Sequence, residues 1–273
     1  MDFRTHLGRP MDFRRWSNIA LAAIVLVSAG VAVVLWLNGE PGAIALTPVY
    51  AFLIWALLRE IDPDHDWTAL LGAGVTAVWG LTGGPLTSGL ALAGLMVAAR
   101  IITSTTGRRP LLTDLAGVTV FGIAIGFSVA GWAAGFGIAL AIYLDDRLSG
   151  DNRLAAIAAS ASTAIGTTVV ANSSGAFPER LPNIIQGVAA VAGIVALLIL
   201  VRDPAEPISQ VDARHAAFMD RVRLHVSRSV VGILVFLTAI LTGVRADGLI
   251  VVIAALGLAV VSNEIALIRS RDL

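Results

Sequence analysis

Two short stretches of this chain concentrate carboxylates in otherwise apolar surroundings. Leu57 to Trp67 reads LLREIDPDHDW and puts Glu60, Asp62, Asp64, His65 and Asp66 within seven residues. Tyr143 to Arg153 reads YLDDRLSGDNR and puts Asp145, Asp146 and Asp151 within another seven. Hard oxygen ligands at this density suit magnesium, which takes one or two protein carboxylates and completes its shell with water and substrate phosphate. Arginines accompany the acids: Arg59, Arg147 and Arg153 in the two stretches, and Arg108 and Arg109 in TSTTGRRP, Thr103 to Pro110. A guanidinium holds phosphate oxygens in a bidentate fork. The pattern therefore predicts magnesium on the seven acids and a phosphate or diphosphate on the five arginines. The same side chains also suit solvated loops at helix ends. His65 is a metal ligand on the first reading and a polar residue of an Asp-Pro-Asp-His turn on the second.

The segment DDRLSGD, Asp145 to Asp151, resembles the Asp-Asp-four-Asp pattern of prenyl diphosphate synthases, and polytopic prenyltransferases likewise use two aspartate-rich cytoplasmic loops. The likeness ends with this segment. No second Asp-Asp motif follows, and the asparagine that precedes the spaced aspartates in membrane prenyltransferases has no counterpart among Trp55, Ala56 and Leu57. No family is assigned on it.

The elements that must position these residues are membrane spans. Of 273 residues 57% are hydrophobic and 14% charged, with a mean hydropathy of +0.84, which excludes an ordinary soluble domain. Apolar segments separated by Gly, Pro and charge fall at 17–38, 41–58, 67–82, 86–103, 111–128, 131–144, 154–171, 183–201, 229–243 and 248–268. The sequence thus predicts an all-α polytopic bundle of about ten spans in one membrane domain, 1–273, some spans short or re-entrant. The spacing of Glu60 to Asp66 and of Asp145 to Asp151, four spans apart, hints at an internal repeat.

All nineteen basic residues are arginine. With the N-terminus cytoplasmic, seventeen fall in cytoplasmic segments and only Arg180 and Arg245 outside, which orients both termini and both acid clusters toward the cytoplasm of a cell (inner) membrane. Residues 1–16 form a cytoplasmic lead with MDFR at Met1 and again at Met11, followed by an uncleaved first span. Residues 202–229 predict an interfacial amphipathic helix, its stripe built from Ile208, Val211, His215, Phe218, Val222 and Val226 and its arginines near lipid phosphates.

Several chemistries are excluded by what the sequence lacks. There is no cysteine, so no thiolate nucleophile or thiolate metal site. No P-loop, HExxH or GxSxG motif occurs, the span interiors carry essentially no ionisable residues for proton coupling, and no basic run suits nucleic acid. The expectation is a magnesium-dependent enzyme acting on lipid or isoprenoid phosphates, with membrane lipid as its partner. Two alternatives stay open: a small-solute or lipid permease whose path is lined by the hydroxyls of the seventh span (Ser160 to Ser174), and a non-catalytic subunit that docks a partner through the amphipathic segment.

Overall fold

The computed structural model describes residues 7, 11, 13–40, 42–84, 86, 89–106, 109–128, 131–176 and 220–241. Eight α-helices lie within them: α1 (Trp16–Leu37), α2 (Thr47–Ile61, entered through a 3-10 turn at Gly42–Leu46), α3 (Asp66–Leu81), α4 (Gly89–Thr103), α5 (Leu112–Ile125), α6 (Gly131–Ser149), α7 (Leu154–Ser173) and α8 (Arg221–Leu241). The protein is all-helical, with no strand among the described residues. Three helical stretches are long and apolar enough to cross a bilayer, Trp16–Leu37, Ile44–Ile61 and Leu154–Ser173, and Gly89–Thr103 and Leu112–Ile125 are shorter apolar helices. The first seven helices follow the first seven predicted spans. The predicted spans at 183–201 and 248–268 lie outside the described residues, as do residues 202–219.

Local signals explain the helix ends. Pro48 opens α2 at a position where its missing N–H costs nothing. Asp66 and Asp114 sit in the first turns of α3 and α5, where the helix dipole favours an acid, and the Asp114 carboxylate accepts the Leu111 backbone N–H at 3.0 Å. Gly150, at φ +72°, turns the chain out of α6 in a conformation that a side chain would strain.

Helix α4 lies between α2 and α6, and these three form an inner row. α1 and α3 flank α2, α5 and α7 flank α6, and α8 packs across α4 and α6. The row is built largely from small residues, Ala51, Ala98, Ala99 and Ala141 being fully buried, so the backbones approach closely. In contrast, α1 and α7 turn large apolar side chains outward: Leu26, Val27, Ile165 and Val169 are all more than half exposed. Apolar outer faces of that kind fit a membrane-associated protein.

Helices α2, α4 and α6 all finish at the same end of the molecule, where the ion pairs described below join their last turns.

Two boundaries differ from expectation. α6 does not stop at residue 144; it runs through Asp145 and Asp146 to Ser149. Charge alone does not end a helix when capping bonds and counter-ions are at hand, and both acids find them. Of the segment expected as an interfacial helix, residues 202–219 lie outside the described residues, and residues 221–229 are the opening turns of α8. Their buried stripe is Leu224, Ser227, Arg228 and Val231, while Val222 of the predicted stripe is 58% exposed. The counter-charge needed by acids inside the bundle turns Arg228 inward, away from the lipid phosphates it was expected to meet.

Candidate functional site at the charged end of the bundle

Four acids of the two clusters are buried at helix ends, while Asp64, Asp66 and Asp151 are half-buried. Glu60, in the last turn of α2, is 2% exposed, Asp62 just beyond it 1%, and Asp145 and Asp146 in the last turns of α6 are 3% and 1%. A carboxylate in such a place must be matched by charge or hydrogen bonds.

Each match comes from another helix or from across a turn. Arg100 of α4 reaches Glu60 Oε1 through Nε at 2.7 Å and Nη2 at 2.6 Å, and the Thr103 hydroxyl donates to Glu60 Oε2 at 3.4 Å. Asp62 Oδ1 lies 2.8 Å from His65 Nδ1 and 3.8 Å from Arg228 of α8, whose Nε also donates to the Ile61 carbonyl at 2.7 Å. Asp145 receives Nη1 of Arg223 at 2.6 Å, and the same guanidinium donates to the Ile102 carbonyl at 3.1 Å and to Ser149 Oγ at 2.7 Å. Asp146 accepts the Arg153 backbone N–H at 3.1 Å on both oxygens and the Arg153 Nε at 3.2 Å. Arg153 also lies 3.7 Å from Asp151, which pairs with Arg109.

The two clusters therefore meet at one end of the bundle. α4 stands between them, bound to the first through Arg100 and to the second through Arg223 on its Ile102 carbonyl. α8 closes the ring, with Arg228 on the first cluster and Arg223 on the second. The remaining predicted residues are peripheral. Asp66 pairs with Arg59 beside it, Asp64 is half-buried in the turn, and Arg147 engages Asn152 at 2.6 Å and the Tyr143 hydroxyl at 3.1 Å on the outer side of α6. Arg108 lies outside the described residues.

No protein family model, no curated protein and no solved structure matches this chain. Its site has to be judged on chemistry alone. Among the described residues no three His, Asp or Glu side chains are grouped so as to hold a metal ion ready-made. The carboxylates face guanidinium groups instead. Asp62 Oδ2 retains ligand capacity, being buried with no hydrogen-bond partner, and the buried hydroxyl of Thr105 in the α4–α5 loop likewise has none.

Three residues central to this end, Arg100, Arg223 and Arg228, were not among the predicted site residues. A signal for Arg100 was available: an ionisable side chain closing an otherwise apolar helix marks function or a buried partner. Arg223 and Arg228 had no comparable signal, because their role depends on where α8 docks.

The hydroxyls of α7 serve packing. Thr167 donates to the Gly122 carbonyl of α5 at 3.1 Å and Ser160 to the Ala139 carbonyl of α6 at 2.7 Å, while Thr163 and Thr168 bond back within their own helix. The partners of these four hydroxyls are backbone carbonyls.

Proposed function

We propose that this chain is a multi-pass membrane protein of about ten spans that acts on lipid or isoprenoid phosphates at the cytoplasmic face, through the arginine and carboxylate groups at the charged end of its bundle. One observation carries the proposal: both acid clusters and the arginines between them converge on the same end. A phosphorylated lipid travelling with magnesium brings both charges needed to exchange with these pairs, phosphate oxygens for guanidinium groups and the cation for carboxylates, so the net charge of the buried site is preserved. Asp62, with its unpartnered Oδ2, is the acid best placed to begin that exchange. The cytoplasmic orientation rests on the arginine asymmetry, and it is supported by the grouping of Leu7, the α2–α3, α4–α5 and α6–α7 loops and the start of α8 at one end.

The test is binding by the purified full chain in detergent, with dodecyl phosphate and dodecanol compared with and without magnesium. Dodecyl phosphate should bind at least about tenfold more tightly than dodecanol, roughly 1.4 kcal/mol, and magnesium should widen the gap. Equal affinities would remove the phosphate, and with it the function proposed.

A further inference from the structure

We propose that the cleft between α4 and α5 seats the hydrocarbon chain of the phosphorylated lipid, with Arg100 Nη1 at its phosphate end; this rests on the function proposed above and specifies how the substrate lies. α5 packs chiefly on α6 and α7 and leans away from α4, although a single loop joins the two. The gap left between them measures about 220 Å³ and is walled by Val97, Val118 and Phe121, with Gly117 in the wall and Arg100 and Leu7 completing it. The cavity is smaller than the ~300–1,000 Å³ of typical small-molecule pockets, and its apolar walls suit a length of single hydrocarbon chain better than a sugar or a nucleotide.

Gly117 is the position from which the cleft can be filled. Gly94, Gly122 and Gly166, on these or neighbouring helices, each face a side chain that would collide with an added Cβ, so close packing accounts for them. A Cβ at Gly117 would meet nothing within 4 Å. Gly30 of α1 and Gly74 of α3 face equally open space, so the glycine itself does not identify the cleft; what Gly117 offers is a position in its wall where a side chain can be added without a collision.

The polar end is equally specific. Nε and Nη2 of Arg100 are engaged by Glu60, while Nη1 donates to the neutral carbonyl of Leu7 at 3.3 Å. A phosphate oxygen in that place turns a long neutral hydrogen bond into a charge-assisted one. The loop joining the two walls carries the unpartnered hydroxyl of Thr105, together with Arg109. An anionic head at this end and an apolar tail along the cleft match the arrangement of charge and surface.

The variant that tests this is Gly117→Leu, which fills the cleft at a position with room for a side chain and raises helix propensity. Its melting temperature should equal or exceed that of the wild type, which separates blockage from misfolding. In the full-length protein the affinity for dodecyl phosphate should fall at least tenfold, while Gly117→Ala stays within about threefold of wild type and inorganic phosphate binds all three alike. Farnesyl phosphate and phosphatidic acid form separate arms, and a single-chain seat predicts the tenfold loss for farnesyl phosphate. A folded Gly117→Leu protein that binds dodecyl phosphate as the wild type does overturns the cleft, with Leu7 then simply sealing it, and leaves the proposed function standing. A wild type that does not bind dodecyl phosphate at all overturns both.

Discussion

At the scale of single residues, burial decides what each acid can tolerate. Asp62 and Arg228 are 1% and 5% exposed, so Arg228→Ala strands a carboxylate inside the bundle. Losing one partner of a buried pair costs about 3–5 kcal/mol, and replacing both by apolar groups costs far less. Arg228→Met should therefore lower the melting temperature sharply, and Asp62→Leu combined with it should recover much of the loss. Equal loss in the single and double variants would show that the pair is not coupled. Asp146→Asn is expected to weaken the bonds to the Arg153 N–H and Nε by about 1.5–3 kcal/mol, read from thermal unfolding in detergent. Substitution of this acid therefore tests stability before it tests chemistry, contrary to what a loop carboxylate would imply. The acids themselves were legible as two dense clusters in an apolar chain. Their partners were not, since Arg100 lies 40 residues from Glu60 and Arg223 lies 78 from Asp145, and only packing selects among nineteen arginines.

At the scale of elements, the contacts that hold α5, α6 and α7 together depend on missing side chains. A Cβ on Gly135 would come within 2.6 Å of the Gly122 carbonyl oxygen and 2.7 Å of Thr167 Cγ2, and one on Gly122 within 2.7 Å of Thr163 Cγ2. Overpacking of this kind typically costs about 1–3 kcal/mol. Gly135→Val should thus lower the melting temperature by several degrees and loosen α7. Thr167→Val, which removes only the bond to the Gly122 carbonyl, should cost about 0.5–1.5 kcal/mol. A Gly135→Val protein as stable as wild type would contradict the packing described. Hydropathy marked the first seven helices because each is an apolar run bounded by Gly, Pro or charge. It misplaced the start of α8 because Arg221, Arg223 and Arg228 read as surface residues until the acids that draw two of them inward are seen in space.

At the scale of the whole molecule, the spacing of charge and tryptophan matches the dimensions of a bilayer. The Trp16 and Trp67 rings lie 4.8 Å apart, tilted at 49°, on the charged side, and Trp36 is 56% exposed at the far end of α1. The rise between Trp16 and Trp36 is about 30 Å along a straight helix, the thickness of a hydrocarbon core, with the indoles where interfacial belts form. The chain has no cysteine, so single cysteines report topology without background. Asp64→Cys and Asn152→Cys should react with an impermeant thiol reagent from the same side of the membrane, and Glu40→Cys from the opposite side. Labelling of Asp64→Cys and Asn152→Cys from opposite sides would break the shared end on which the site depends.

The ring of ion pairs also imposes a schedule on synthesis. Arg228 is 167 residues beyond Ile61, whose carbonyl it binds, and Arg223 is 78 beyond Asp145. At ribosomal speeds of about 5–20 residues per second, the first cluster waits on the order of ten seconds or more for its last partner. During that interval the terminal carboxylates of α2 and α6 lack the α8 counter-charges that match them in the folded bundle. Closure of this end therefore requires α8, whose Arg223 and Arg228 are translated after every acid they pair with.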